Sequence, residues 1–179
     1  KQGSVSSKTA MIARFFIPLV FLFSASLDAT SISTNLLNDQ LKRNYSFIER
    51  SLNESEMQIG NSAGKILFKN DEVIIHVLTP FEENYRINKE TIEIHDVFLD
   101  QKQTIEIDQI NNFFLNLLIE GVDEDSEAYS VRIIQDSTIK IYENDSFSVI
   151  SFLFIDNQLK LIRYTDSLGV EHGVELTLL

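Results

Sequence analysis

The stretch from Gly64 to Pro80, GKILFKNDEVIIHVLTP, contains two apolar segments on either side of the polar residues Lys69-Asn70-Asp71. Both segments are rich in Ile, Val and Phe, which favour β-strands, and the Asn-Asp pair between them favours a turn. The second segment, EVIIHVL, is apolar on both of its faces. Because a sheet with one wet face would not carry so many large apolar side chains, this stretch predicts a hairpin in a sheet that other elements cover.

The same two-residue alternation recurs along the rest of the chain. It is found after the hairpin in NYRIN, TIEIHD and QTIEID, and in the second half in YSVRII, TIKIYE, FSVISFLFI, LKLIRY and VELTL. Turn residues separate the later segments at Asp136-Ser137, Asn144-Asp145 and Asp156-Asn157. Residues 46–54 are ambiguous between a helix and a first strand, and we favour the strand. The pattern predicts about ten or eleven antiparallel strands.

Two segments have helical spacing instead. The first extends to about residue 43, with Thr30, Ser31 or Ser33 as its N-cap and with apolar positions at Ile32, Leu36, Leu37 and Leu41. The second, DQINNFFLNLLIEG, has Asp108 as a candidate N-cap, Gly121 as its end, and an apolar face formed by Ile110, Phe113, Phe114, Leu117 and Leu118. The sequence therefore predicts a mainly β (α+β) fold, in which two amphipathic helices cover a curved sheet and could leave a cavity.

The N-terminus has the pattern of a secretory signal peptide. Met11 and Arg14 precede the apolar run FFIPLVFLF at residues 15–23, and small and polar residues follow it. The run is shorter than the about 20 apolar residues that cross a bilayer. We predict removal of residues 1–29 by cleavage after Ser26 or Ala29, with an uncleaved anchor as the alternative. Residues 30–179 would form one exported domain, and a chain without cysteine suits the periplasm of a Gram-negative bacterium.

The composition argues against several classes of function. The 179 residues carry a formal net charge of −12, with 44% apolar and 23% charged side chains. This charge argues against nucleic acid as a partner, because the sequence has no Lys/Arg patch that would neutralise phosphates. With no cysteine, the chain has no disulfide, no thiolate nucleophile and no cysteine that could be lipid-modified.

Catalytic and metal-binding signals in the sequence are weak. His76 lies within a predicted strand, and His95 and His172 stand beside carboxylates, without the i, i+4 spacing of a helical metal pair. Asp96 and Asp100 could act as paired carboxylates, although turn residues of this kind usually terminate strands. The Gly-x-Ser-x-Gly spacing occurs once, at Gly60-Asn61-Ser62-Ala63-Gly64, and a motif this short does not by itself establish a nucleophile. We predict a protein that is not an enzyme and has no cofactor or metal; a metal-dependent or carboxylate hydrolase is the enzymatic alternative.

The segment from Gly64 to Asp108 resembles the LolA family of periplasmic lipoprotein carriers. The matching positions are dispersed: Gly64, Lys69, the strand from Val73 to Leu78, Pro80, the turn Asn88-Lys89-Glu90, His95-Asp96 and Gln101. FFLNLL is similar to the family's short apolar helix, and SVISFLFIDNQLKLIRYTDSLGVEHGVEL to its later strands. The hairpin tip departs from the family, because Asn70-Asp71 replaces an Arg-Pro pair whose arginine is associated with handing cargo onward.

This resemblance implies an unclosed antiparallel β half-barrel of about eleven strands, with amphipathic helices as a lid over an apolar cavity. It implies a periplasmic chaperone that shields the acyl chains of lipoproteins, or of a related acylated lipid, between the inner and outer membranes. The implied partners are acylated lipoprotein cargo, an inner-membrane LolCDE-type ABC transporter and an outer-membrane LolB-like receptor. We expect the chain to be a monomer.

Alternation along the strands, combined with the resemblance, gives candidate site residues. The residues expected to face the acyl cavity are Val73, Ile75, Val77, Tyr85, Ile87, Ile92 and Ile94. The residues expected to form the lid are Leu36, Leu37, Phe113, Phe114 and Leu117. In the alternative hypothesis, these residues form the fully packed core of an exported β-sheet interaction module without a lipid ligand. Alternation does not say which face of the sheet is concave.

Overall fold

The computed structural model describes residues 31–53, 58–69, 71–110, 112–144, 146 and 148–179. The predicted signal peptide, residues 1–29, and Asn70 at the hairpin tip lie outside the described residues. Within them, the chain forms a single eleven-stranded sheet and two α-helices.

The strands follow one another in an antiparallel meander. Their bounds are β1 Tyr45–Asn53, β2 Gln58–Lys69, β3 Glu72–Thr79, β4 Glu83–Ile87, β5 Thr91–Asp96, β6 Gln101–Glu106, β7 Tyr129–Ile134, β8 Thr138–Glu143, β9 Val149–Ile155, β10 Gln158–Thr165 and β11 Glu171–Leu178. The order across the sheet is β6-β5-β4-β3-β2-β1-β11-β10-β9-β8-β7. The edge strands β6 and β7 do not pair with each other, so the sheet is not closed into a barrel. The predicted fold class, a mainly β half-barrel with helices, is confirmed.

One long-range pairing joins the two halves of the sheet. Strand β1 pairs with β11 from Tyr45 opposite Leu178 to Leu52 opposite Glu171. All other neighbouring strands are consecutive along the chain. This pairing therefore places the second half of the chain beside the hairpin of β2 and β3.

Both helices lie within their predicted segments, and both are shorter than predicted. Helix α1 spans Thr34–Gln40, and the Ser33 side chain accepts a hydrogen bond from the Leu36 N–H, as expected of an N-cap. It ends before the predicted residue 43, since the chain turns into β1 and the Tyr45 hydroxyl donates to the Gln40 carbonyl at 3.0 Å.

Helix α2 spans Phe113–Glu120 and is shorter than its predicted segment. A 3₁₀ turn at Ile107–Gln109 precedes it, and extended backbone follows that turn, so the helix begins later than predicted. Its N-cap is Asn112, whose side chain accepts from the Leu115 N–H, and the prediction of Asp108 as the cap is wrong. Gly121 ends the helix as predicted, with a φ of 83°.

The core lies on one face of the sheet, which we call the inner face. Alternate side chains on the central strands are buried there, such as Tyr45 and Phe47 on β1 and Phe152 on β9. Leu37 and Leu117 join the helices to the same core. Each such side chain contributes about 1.5–3 kcal/mol by leaving water.

The two described helices do not cover the opposite, outer face, contrary to the prediction that both faces are covered, although Ile74 on that face is only 8% exposed. Leu78 on β3 and Ile155 on β9 point away from the core and are 51% and 54% exposed. The physical reason is that the helices are too short to cover both faces, since α1 has only seven residues and α2 only eight.

Candidate functional site: an apolar cavity beneath the helices

A cavity of about 320 Å³ lies between the inner face of the sheet and the helical segments. Its lining is almost entirely aliphatic or aromatic, with one carboxylate, that of Glu49. The lining residues are Leu41, Tyr45, Phe47, Glu49, Ile66, Phe68, Ile75, Val77, Tyr85, Ile87, Ile92, Ile94, Ile110, Phe114, Leu115, Leu118, Leu159, Ile162, Tyr164, Val174 and Leu176. Almost all of these residues also belong to the hydrophobic core or pack against it, so the cavity lies within the core layer of the inner face.

Strands β3, β4 and β5 supply one wall of the cavity. Residues that lie directly opposite each other on neighbouring strands point to the same face of the sheet. Tyr85 on β4 lies opposite both Ile75 on β3 and Ile94 on β5. Six of the seven predicted strand residues line the cavity: Ile75, Val77, Tyr85, Ile87, Ile92 and Ile94. Val73 does not line it. It is 4% exposed, belongs to the packed core, and borders a separate, more polar groove near the end of α2.

Among the predicted lid residues, Phe114 lines the cavity. Leu37 and Leu117 are buried in the core and anchor the helices, and Leu36 and Phe113 are half-buried against that core. The cavity also takes four residues from the helical segments that the predicted lid omits: Leu41, Ile110, Leu115 and Leu118. Leu41 and Leu118 could have been found from helical spacing, because each lies four residues after a predicted lid residue.

The opposite wall was missed by sequence reasoning. It comes from β1, β2, β10 and β11, with the residues Tyr45, Phe47, Ile66, Phe68, Leu159, Ile162, Tyr164, Val174 and Leu176. Alternation marks most of these residues as candidates for a buried face. The sequence does not reveal that β1 pairs with β11. This pairing brings Leu176 opposite Phe47 and so into the same cavity as Ile75.

Asn38 ties the two helices together over the cavity. Its side-chain amide donates to the Val122 carbonyl at 2.8 Å, and its Oδ1 accepts from the Val122 N–H at 2.7 Å. Both groups belong to the residue that follows Gly121, where α2 ends. The helices are therefore held as a pair through one side chain on α1.

An aromatic stack connects α2 to the sheet. The ring of Phe114 stacks on Tyr164 with centroids 4.3 Å apart, and Tyr164 stacks on the His172 ring at 4.6 Å. Phe113 makes a different contact, with Tyr129 of β7 at 5.5 Å. Because stacked rings contribute about 0.5–1.5 kcal/mol beyond their burial, the Phe114 stack fixes the helix over the β10–β11 side of the cavity.

Polar and acidic groups are concentrated at one part of the cavity wall, around Glu49. One Glu49 oxygen accepts from the Ser62 hydroxyl at 2.6 Å, and the other lies 2.7 Å from His172 Nδ1. His172 Nε2 lies 3.3 Å from an Asp166 carboxylate oxygen. The Tyr85 hydroxyl donates to the Glu83 carboxylate.

These surroundings shift three pKa values. Burial raises the pKa of Tyr85, and the hydrogen bond to Glu83 and nearby carboxylate charges raise it further. Burial also raises the pKa of Tyr164, assisted by the charges of Glu49 and Asp166. Burial alone would raise the pKa of Asp166, but hydrogen bonds from the Val170 and Leu168 backbone and from His172 outweigh it, so this pKa is lowered.

The other candidates for catalysis have structural partners. His76 Nδ1 is hydrogen-bonded to Asn84 Oδ1, and His95 Nε2 lies 3.2 Å from Asp100 Oδ1. Asp96 accepts from the Leu99 N–H at 2.9 Å, as a turn residue does. Across the residues that the structure describes, no three His, Cys, Asp or Glu side chains are grouped so as to hold a metal ion. Nor does any helix in that part of the chain have the length and apolar character needed to span a membrane.

The described residues thus define a half-barrel protein with an apolar, helix-covered cavity. No protein-family model and no curated protein matches the chain. A solved structure of a LolA superfamily protein from Nitrosomonas europaea is similar to it, with 8% sequence identity, a TM-score of 0.44, and coverage of 82% of this chain and 92% of that chain. An uncharacterized conserved protein from Thermus thermophilus is similar with 11% identity, a TM-score of 0.42, and coverage of 81% and 85%.

The lipoprotein LppX from Mycobacterium tuberculosis is a further similar structure, with 9% identity, a TM-score of 0.34, and coverage of 80% of this chain and 92% of that chain. Identities and TM-scores this low transfer no function to this chain. The function has to come from the cavity.

Proposed function

We propose that this protein is a non-enzymatic carrier that shields an acyl chain from water. The observation that supports this most directly is the cavity itself, whose walls are apolar on both sides and whose cover is a pair of short helices. Apolar cavities that helices can close are suited to acyl chains, because a large exposed apolar patch on the empty protein is avoided.

The size of the cavity limits what it can hold in this conformation. A methylene group takes nearly the volume of a water molecule, about 30 Å³. At this volume per group, the cavity of about 320 Å³ offers room on the order of ten methylenes, which is enough for one acyl chain of that length.

The same count gives the order of magnitude of the affinity. Ten methylenes at about 0.8 kcal/mol each give about 8 kcal/mol, which corresponds to a Kd of about 1 μM before the costs of association. Those costs weaken binding further. Reversible binding of this strength suits a carrier that must release its cargo.

The proposal also includes a cargo, a route and partners for this carrier. The cargo would be an acylated lipoprotein or a related acylated lipid, carried across the periplasm from a LolCDE-type transporter to a LolB-like receptor by a monomeric protein. Support for these partners comes from the sequence resemblance described above. An exported interaction module is less favoured, because it calls for a packed core instead of a cavity.

Two neighbouring residues of β3 provide a matched test. Val77 lines the cavity, whereas Leu78 points outward and is 51% exposed. Val77→Glu should abolish binding of a fluorescent dodecanoyl probe, because a charge would be buried among apolar groups. Leu78→Glu should leave binding within about twofold, because surface substitutions have small effects.

Urea unfolding of both variants separates binding from stability. Loss of probe binding by Val77→Glu in a folded protein, together with acylated material that co-purifies with the wild type, is the expected result. Failure of the wild-type protein to bind any acyl probe would overturn the proposed function.

A further inference from the structure

The apolar cavity has an electrostatically asymmetric wall. Among the described residues that line it, Glu49 is the only charged one, and none of them is Lys, Arg or His. The Glu49 side chain is 24% exposed, so its charge is only partly screened by water. An acyl ligand that fills the apolar part therefore brings its polar end close to a carboxylate or out to solvent.

Further carboxylates surround the same region. The charges of Glu49, Glu83 and Asp96 all act on the Tyr85 hydroxyl, and those of Glu49 and Asp166 act on the Tyr164 hydroxyl. His172 lies between Glu49 and Asp166. An anionic group placed here would meet the Glu49 carboxylate in the cavity lining and weaker, more distant repulsion from carboxylates outside that lining. His172 is the only basic group in this network of the described residues.

Hydrogen-bonding capacity is available at the same place. The Tyr164 ring lines the cavity, and within the described part of the chain its hydroxyl makes no hydrogen bond to another residue. The Glu49 carboxylate accepts one bond from Ser62 and one contact from His172, and two carboxylate oxygens provide about four acceptor sites. A ligand with hydroxyl or amide donors could therefore bond to the remaining acceptor sites of Glu49.

We infer that the cavity selects acyl molecules by the charge of their polar end, favouring an uncharged end that carries hydrogen-bond donors and disfavouring a carboxylate or phosphate. This inference rests on the proposed acyl-carrier function and adds the class of ligand. Glycerol esters and N-acyl amides belong to the favoured class, and free fatty acids and phospholipids with anionic head groups to the other.

Two probes with the same chain test the selection. Binding of dodecanoate and of monolauroylglycerol is measured by displacement of a neutral fluorescent acyl probe, below the micellar range and at pH 8.5, where carboxylic acids are ionised. Repulsion from one partly screened charge a few ångströms away predicts about tenfold weaker binding of dodecanoate.

Removing the charge should remove the preference. Glu49→Gln keeps the shape of the side chain, and it should bring dodecanoate to within about twofold of monolauroylglycerol. The matched control is Glu175→Gln, which removes one charge from an exposed position on β11 outside the cavity lining and should keep the tenfold ratio.

Each result has a distinct meaning. Equal binding of both probes by the wild type overturns the head-group selection and leaves the carrier function standing. An unchanged ratio in Glu49→Gln overturns the role of this carboxylate. Absence of binding by both probes overturns the proposed function itself.

Discussion

Replacement of Gly64 by alanine tests the geometry of the cavity wall. Gly64 lies on β2, at the point where the register with β3 shifts between Ala63 and Gly64. A Cβ at this position would lie 1.9 Å from the His76 carbonyl oxygen and 2.9 Å from Cε1 of Phe47. Contacts of a Cβ under 3.0 Å are essentially never seen, so β3 would have to move away from β2.

The size of that movement gives the expected cost. A shift of about 1 Å lengthens a backbone N···O distance from about 2.9 Å to about 3.9 Å, which is no longer a hydrogen bond. Loss of two such bonds at about 1 kcal/mol each, added to about 1–3 kcal/mol of overpacking, lowers the free energy of unfolding by about 3–5 kcal/mol. Urea unfolding followed by circular dichroism measures this difference.

Gly173→Ala is the control, because this glycine also lies in a strand. The nearest atom to its added Cβ is the Arg50 carbonyl oxygen at 3.9 Å, an ordinary contact. The free energy of unfolding of the Gly173→Ala variant should differ from that of the wild type by no more than about 1 kcal/mol. A loss below about 1 kcal/mol for Gly64→Ala would refute the close approach of β2 and β3. It would also refute the place of Val77 in the cavity wall, since Val77 is the Cα partner of Gly64.

Three further predictions concern the helices and the acidic network. Phe114→Ala should weaken acyl-probe binding about tenfold, because Phe114 lines the cavity and Phe113 does not. Each of the variants Phe114→Ala and Phe113→Ala should lower the free energy of unfolding by about 1–3 kcal/mol, but Phe113→Ala should leave binding within about twofold. Equal weakening of binding by the two variants in displacement assays would contradict this assignment. In Asn38→Ala, the N–H and C=O of Val122, just after α2, lose their hydrogen-bond partner. The variant should therefore lower the free energy of unfolding by about 1–3 kcal/mol. It should also release the probe faster in stopped-flow measurements. Release at the wild-type rate would show that this side chain does not hold the helices closed. Asp166→Asn should destabilise the protein at pH 7, because the lowered pKa of Asp166 means that its carboxylate stabilises the folded state above the unfolded-state value of about 4. That contribution is lost as pH falls through the folded pKa, so the stability difference between wild type and variant should shrink from pH 7 to pH 3 in urea unfolding, and a constant difference would contradict the assignment.

Most of the strands could be predicted because alternation is visible within each segment. TIEIHD and TIKIYE match β5 and β8 residue for residue. The limits of β2 were less accessible, since the strand begins at Gln58 among polar and small residues whose pattern is weak. Its extended conformation there depends on pairing with β1, from Asn53 opposite Gln58 to Tyr45 opposite Ile66.

The candidate site could likewise be predicted only in part from the sequence. Ile75, Tyr85 and Ile94 could be placed on one face, because consecutive strands in a meander share a register that short turns fix. Val73 has the same parity as Ile75 but is packed in the core instead of lining the cavity, and alternation cannot distinguish these two positions.

The repeating pattern along the chain was enough to predict a mainly β fold with two short helices, because side-chain periodicity depends only on residues that are close in sequence. Which face carries the core, how far the helices cover it, and that Glu49 and Tyr164 line the same cavity depend on the pairing of β1 with β11. That pairing joins residues more than a hundred positions apart, so its free energy comes from contacts that no local segment contains. Tertiary structure therefore decided the cavity and its polar wall.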